Sequence, residues 1–159
     1  MEFQSREDIA APIETVFAAV TDFAAFERQI LRRGAEVRRL DSLPRPGAGM
    51  KWAATFQFRG RDRNVQLEIT EYDPPHALRL GGESQGLGFA VAVDLMALSR
   101  NHTRMNVAAV IEPQSFTAKL LVQSLKLARG NLNRRFETRI TEFAREIELR
   151  HTRAAKAPR

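Results

Sequence analysis

Cysteine is absent from this sequence of 159 residues. Its absence excludes a disulfide framework, a thiolate metal site and a thiol nucleophile. Long apolar runs are absent too: the longest, such as those at 16–20 and 89–93, reach five residues, whereas a membrane-spanning helix needs about 18 or more. The N-terminus has neither the basic flank nor the apolar stretch of a secretory signal. We therefore expect a single globular domain located in the cytoplasm.

Motifs for metals, phosphates and nucleophilic catalysis are also missing. His76, His102 and His151 lie far apart, and none has a second histidine at helical or strand spacing, so we predict no metal site. The Gly-x-Gly pairs at 47–49 and 86–88 are each followed by a predicted strand, not by the helix N-terminus that a phosphate-binding loop requires. No Gly-x-Ser-x-Gly motif occurs. We therefore expect no cofactor.

Basic side chains are concentrated at one end of the chain. The formal net charge is +6, and residues 117–159, with eleven basic and four acidic side chains, account for all of the excess. Such a segment can meet an anionic membrane or nucleic acid through electrostatics. A solvated helix face followed by a disordered tail explains it equally well. No aromatic residues interleave with the basic ones beyond the apolar stripe, so we expect no specific nucleic-acid binding.

The apolar pattern of the first two thirds predicts a strand, two short helices and a series of strands. The first strand ends at Ile9-Ala10-Ala11-Pro12, and Asp22 can cap the second helix, which Gly34 ends. From about residue 35 to 112 the pattern has period two, most clearly at 50–58, as is typical of strands. The tight turns between these strands predict antiparallel pairing.

A long helix is predicted after Pro113, with Ser115 or Thr117 as its cap. Apolar residues recur at intervals of three and four: Leu121, Leu125, Ala128, Leu132, Phe136, Ile140, Phe143 and Ile147. A continuous helix over 116–149 would be about 50 Å long. Gly130 lies inside it, and we expect a bend or a close contact there.

The first half of this helix is apolar on more than one side. Leu120, Val122 and Leu127 fall outside the stripe that the other apolar residues form. We therefore expect this end of the helix to meet apolar material on more than one side.

The order of elements and several local motifs resemble the START-like superfamily, also called SRPBCC, which includes polyketide cyclases, lipid-transport proteins and birch-pollen-allergen-like proteins. Residues 9–17 resemble its strand-to-helix opening, with apolar residues, then Ala-Pro, then an aromatic residue. Residues 47–52 are similar to its glycine-rich entry to the third strand, 71–78 to its strand-ending Pro-Pro, and 103–105 to its late hairpin return.

The resemblance implies an α+β helix-grip fold, in which a curved antiparallel sheet of about six or seven strands wraps a long C-terminal helix and two short helices follow strand one. It covers residues 1–150, which we interpret as a single ligand-binding domain followed by a basic, disordered tail at 151–159. It also implies a cavity between sheet and helix for a small lipid-like, isoprenoid or aromatic molecule. The superfamily has no universal catalytic set, so the resemblance implies no active-site residues.

The candidate wall residues of this cavity are aromatic, thioether and aliphatic side chains. They are Trp52, Phe56, Phe58, Phe89, Met105, Leu121 and Leu125. Each is also a residue that a plain hydrophobic core would contain, and only the resemblance favours a cavity.

One carboxylate is predicted to point inward. Glu7 alternates on the same strand face as Phe3 and Ile9, and an isolated carboxylate in a core must be paired, hydrated or functional. It is the leading acid–base candidate if the protein is an enzyme. The alternative is a structural pair with an arginine or a place near the end of the sheet.

Three functions follow as hypotheses, and whether the protein is an enzyme stays open. The first is a noncatalytic carrier of a small hydrophobic molecule. The second is an enzyme of the polyketide cyclase or dehydratase kind. The third is a peripheral protein whose basic C-terminal helix meets an anionic membrane or nucleic acid. Two or more polar groups that converge in the cavity favour the second hypothesis over the first, and a filled core excludes both.

Overall fold

The computed structural model describes residues 1–157. Eleven helices and strands follow one another along these residues. They are β1 (Glu2–Ile9), α1 (Ile13–Val20), α2 (Phe23–Arg32), β2 (Glu36–Arg39), β3 (Lys51–Phe58), β4 (Arg61–Asp73), β5 (Ala77–Ser84), β6 (Leu87–Ser99), β7 (His102–Pro113), α3 (Phe116–Leu127) and α4 (Arg129–Lys156).

The strands form one seven-stranded sheet in which every pair is antiparallel. The strand order is β1-β7-β6-β5-β4-β3-β2, because successive hairpins lay β2 to β7 side by side and β1 then pairs with β7. The sheet therefore has β1 at one edge and β2 at the other. This arrangement confirms the expected α+β helix-grip fold.

Two of the helices begin at the caps expected from the sequence. The Asp22 side chain accepts a hydrogen bond from the Ala25 amide at 3.2 Å, at the start of α2. Ser115 Oγ accepts one from the Ala118 amide at 3.1 Å, at the start of α3. Ser115 is therefore the cap of α3, and Thr117 lies inside the helix. Each cap satisfies an amide that the first turn of a helix leaves without a partner.

The helices that cover the sheet rest on its opposite edges. Helix α4 packs against β1 and α1, and α2 packs against β2. The core is densest on the α1 side, where Ile9, Val16 and Ala144 have no exposed surface. Thr103 is also fully buried, and its hydroxyl donates to the Ala11 carbonyl at 2.8 Å, so the polar group stays satisfied.

The C-terminal helix is long, as expected, but it is broken, so residues 116–149 do not form one continuous helix. Ala128, with φ −102° and ψ 16°, separates α3 from α4. Helix α3 packs against β7, whereas α4 packs against β1, and the chain must turn between these two surfaces. The break lies two residues before Gly130, the residue at which we expected a bend or a close contact.

Helix α4 also continues further than expected and ends at Lys156. The part of the predicted disordered tail at 151–156 is therefore helical, since its hydrogen-bonded turns continue those of α4. Residues 158–159, which complete that predicted tail, lie outside the described residues. Within residues 1–157, none of the helices has the length and apolarity that crossing a membrane requires.

We expect Gly130→Ala to raise the free energy of unfolding by up to about 1 kcal/mol, because alanine favours the helical backbone more than glycine does. Gly130 is exposed in the first turn of α4, and an added Cβ would meet no atom within 4 Å. Urea denaturation of the variant and the parent protein measures the change. A loss of stability would show that α4 needs glycine at this position.

A second glycine is required by close packing. Gly82 of β5 pairs with Phe89 of β6, and a Cβ at Gly82 would overlap both the Phe89 ring and the Gln66 carbonyl oxygen. We expect Gly82→Ala to lower the free energy of unfolding by about 2 kcal/mol or more, as overpacking does.

The neighbouring glycine is a matched control for this prediction. A Cβ at Gly81 would lie 3.8 Å from the Thr70 methyl group and 3.9 Å from the Phe89 carbonyl, which is ordinary contact. Gly81→Ala should therefore be tolerated. Equal urea midpoints for the Gly81 and Gly82 variants would contradict the close approach.

Candidate functional site

A cavity of about 700 Å³ lies between the inner face of the sheet and helices α2 and α4. Strands β3 to β7 form its floor with apolar side chains only. These are Trp52, Leu67, Ile69, Leu78, Leu80, Val91, Val93, Met105 and Val107. The volume falls within the range of about 300–1,000 Å³ that small-molecule sites occupy. The core is therefore not filled.

Strand alternation explains why the floor is apolar. Successive side chains of a strand point to opposite faces, so Val91 and Val93 line the cavity while Ala90 and Ala92 point to the outer face. Across the sheet, Leu80 pairs with Val91. These pairs place apolar side chains side by side over the middle strands.

Helices α2 and α4 line the side of the cavity that faces the sheet, and the exposed residues of the lining place its opening on this side. The apolar lining here is Phe23, Phe26 and Ile30 of α2 and Ile140 and Phe143 of α4. The rings of Phe26 and Phe143 lie 5.9 Å apart between their centroids, so the two helices meet through aromatic contact. None of the residues of α2 is fully buried. The helix therefore covers the cavity with side chains that are themselves partly exposed to solvent.

Polar side chains surround the opening. Exposed residues of α2, of its C-terminal cap Arg33 and of α4 line it here. The polar one without charge is Gln29, and the charged ones, of both signs, are Arg33, Arg139, Glu142 and Glu146. Glu27 is half-buried. The site can therefore hold an apolar body on its floor and contact a polar end at its rim.

Trp52 joins the sheet to α2. Its indole Nε1 donates to Glu27 Oε1 at 2.8 Å, its ring lies 5.3 Å from that of Phe23, and the residue is only 6% exposed. This hydrogen bond satisfies the indole N–H inside an otherwise apolar wall, as buried tryptophan requires. Trp52 is therefore a fixed part of the cavity wall.

Arg39 lies beside Trp52 and is held there by Asp41. The Arg39 guanidinium is 5.8 Å from the indole centroid, and its Nε donates to Asp41 at 2.9 Å. Asp41 also accepts hydrogen bonds from the Lys51 and Leu43 amides. The Arg39 hydrogen bond and these amides hold the pKa of Asp41 well below its usual range. Asp41 is thus charged across the physiological pH range and positions Arg39.

Of the wall residues expected from the sequence, the structure places Trp52 and Met105 in the cavity. Phe56 and Phe58 share the inner face with Trp52, but they lie further along β3 toward the β3–β4 turn and are 37% and 38% exposed. Phe89 covers Gly82 and is not part of the cavity wall.

Leu121 and Leu125 also lie outside the cavity wall, because they belong to α3 and not to α4. Arg59, in the β3–β4 turn, donates to Ser124 Oγ at 3.3 Å, so α3 lies at the end of the sheet that this turn forms. The break at Ala128 separates both leucines from the part of α4 that covers the cavity.

Sequence reasoning missed the contribution of α2. Phe23, Phe26 and Ile30 have helical spacing, and this pattern predicted the helix, but it contained no signal that the helix covers a cavity. Glu27 is 25 positions from Trp52, and nothing in the sequence paired the two.

Glu7 lies outside the cavity wall. The Thr141 hydroxyl of α4 donates to Glu7 Oε1 at 2.6 Å, and both residues are half-buried. The carboxylate is therefore paired, but with a threonine and not with an arginine. Within residues 1–157, no cluster of three or more histidine, aspartate or glutamate side chains has the geometry of a metal site.

Comparison with known proteins agrees with this geometry. A family model described as polyketide cyclase / dehydrase and lipid transport matches residues 1–148. The chain is similar to the Zhui aromatase/cyclase from Streptomyces sp. R1128, with a TM-score of 0.69, 11% identity and 99% of both chains covered.

Two further solved structures have the same fold. Protein TTHA0849 from Thermus thermophilus has a TM-score of 0.66 and 17% identity, and the match covers 99% of this chain and all of the other. A START superfamily protein from Mycobacterium smegmatis has a TM-score of 0.53 and 15% identity over 86% of this chain and 97% of the other. No curated protein sequence matches the chain significantly.

We expect Thr141→Val to lower the free energy of unfolding by about 1 kcal/mol, because it leaves a half-buried carboxylate without its hydroxyl donor. Glu7→Gln keeps an oxygen that accepts the same hydrogen bond and should cost less. Neither variant should change ligand affinity. Urea denaturation and ligand titration measure the two properties separately. If Glu7→Gln lost affinity while its stability stayed unchanged, Glu7 would belong to the site.

Proposed function

Because this chain belongs to the polyketide cyclase / dehydrase and lipid transport family, we propose that it binds and carries a small hydrophobic molecule of lipid-like, isoprenoid or aromatic type. The occupied site is the cavity between the sheet and helices α2 and α4. The observation that carries the proposal is the open cavity of about 700 Å³ with an entirely apolar floor. An apolar molecule gains about 25 cal/mol for each Å² of surface that it buries there.

The position of the polar groups supports binding without chemistry. General acid–base catalysis requires a polar group within hydrogen-bond reach of the reacting atoms. The charged side chains of this site are exposed at its rim, and the half-buried Glu27 already accepts the hydrogen bond from Trp52. The floor, where an apolar ligand lies, contains no such group. A polyketide cyclase-like enzyme is therefore the second candidate.

The rim also restricts the kind of ligand. Arg33 and Arg139 carry positive charge there, and Glu142 and Glu146 carry negative charge. A polar end group on the ligand can therefore find a donor or an acceptor at the opening while its apolar part stays on the floor. This arrangement fits an amphiphile, with one polar end, better than a molecule that is polar throughout.

The fluorescence of Trp52, the only tryptophan, tests the proposal. Because the indole is 6% exposed and lines the cavity, iodide should quench the free protein weakly, and a bound ligand should change the emission saturably. The panel consists of long-chain fatty acids, isoprenoid quinone analogues corrected for inner-filter absorption, and polycyclic aromatics. We expect at least one of these classes to bind.

A pair of variants on β6 locates the binding. Val91→Phe places a larger side chain on the cavity floor and should weaken the bound class about tenfold or more, which corresponds to about 1.4 kcal/mol. Ala90→Phe adds the same ring on the outer face of the same strand and should leave affinity unchanged. If no class perturbs Trp52, or if both variants bind alike, the carrier proposal fails. If the ligand is recovered chemically altered, the second candidate, a polyketide cyclase-like enzyme, replaces the carrier proposal.

A further inference from the structure

Helix α3 is apolar on two opposite faces, and the sheet covers only one of them. Ala118 and Val122 are buried on the side that packs against β7. With about 100° between successive residues, Phe116, Leu120 and Leu127 lie within about 40° of one another on the opposite side. They are 75%, 52% and 92% exposed. We call these three residues the outer face of α3.

An exposed face of this kind requires a partner. A surface helix usually turns its polar side to water, and a group of large exposed apolar side chains marks an interaction site. The sequence pattern already indicated that Leu120 and Leu127 need apolar surroundings. The sheet does not supply these surroundings, because α3 contacts it through the other face.

The charges beside the outer face have one sign. Residues 113–136 carry five basic side chains and no acidic one. Lys119 and Lys126 lie about 20° apart along one side of the face, and the Arg59–Ser124 hydrogen bond places a guanidinium at α3. Within residues 1–157, none of these three cations forms an ion pair. They are therefore available to an anionic partner.

We propose that the outer face of α3 docks on the surface of an anionic phospholipid membrane. Its apolar side chains enter the boundary between headgroups and acyl chains, and Lys119, Lys126 and Arg59 contact lipid phosphates. Interfacial helices combine these two contributions, buried apolar area and attraction to anionic lipid. A symmetric contact between two copies brings the same lysines together, and residues 113–136 contain no acidic side chain to pair with them. The charge therefore favours lipid over a second copy.

Sedimentation of the full chain with vesicles tests the proposal. Phosphatidylcholine vesicles that contain phosphatidylserine should bind the protein at least about thirtyfold more tightly than phosphatidylcholine alone, since each of the two lysines near an anionic surface contributes about 1 kcal/mol. Binding should fall as salt is raised. Lys119→Glu with Lys126→Glu should abolish the preference for phosphatidylserine.

A matched pair of apolar variants tests the outer face itself. Leu120→Ser with Leu127→Ser should lower vesicle binding about tenfold or more. Leu149→Ser changes a residue on α4 that is 56% exposed and should have no effect. Both changes lie on the surface, and Trp52 emission together with circular dichroism shows that each variant is folded.

Three outcomes would overturn the proposal. The first is equal binding to vesicles with and without phosphatidylserine. The second is full binding by the Leu120/Leu127 variant. The third is a dimer of the parent protein, seen by analytical ultracentrifugation, that the Leu120/Leu127 variant converts to a monomer, because the outer face would then be covered by a second copy.

Discussion

The site exists because one sheet of seven strands offers more apolar surface than its helices cover. Helix α4 rests on β1 and α2 rests on β2, at the two opposite edges. The middle strands lie between these supports, and α1 covers part of β6 and β7. The apolar side chains of their inner faces leave a gap of about 700 Å³ beneath the helices. Because α4 and α2 rest on the two edge strands, a cavity remains between these helices and the middle of the sheet.

The cover on the β2 side is held by few interactions. Helix α2 has no fully buried residue. It is held by its packing against β2, by the contacts of Trp52 with Glu27 and Phe23 and by the contact of Phe26 with Phe143. Segments with little buried surface are those that open most easily in a folded protein. The small buried surface of α2 therefore makes this helix a part of the wall that can move when a molecule enters. Binding of an apolar molecule would add the contacts that α2 lacks.

At the other end of the sheet, close contacts at the β5–β6 turn determine where α3 lies. Phe89 covers Gly82, and Gly86, with φ +81°, turns the chain against Ser115. Ser115 is the cap of α3, so the β5–β6 turn fixes the start of that helix on the sheet. With one face of α3 committed to this contact, its remaining apolar residues point outward. The outer face of α3, which we propose to bind a membrane, and the cavity thus lie at two different ends of one sheet.

The sequence by itself determined the elements that depend on neighbours a few residues away. Period-two alternation predicted the strands and placed Trp52 on the same strand face as Phe56 and Phe58, and the caps at Asp22 and Ser115 bond to amides three residues on. Only the tertiary structure decided how far the cavity extends, that Trp52 is paired with a carboxylate 25 positions away, and that Glu7 meets a threonine 134 positions away. Alternation specifies the face of a strand on which a side chain lies, but not which helix covers that part of the strand. That choice depends on contacts between residues distant in the chain, and a local pattern contains no record of them.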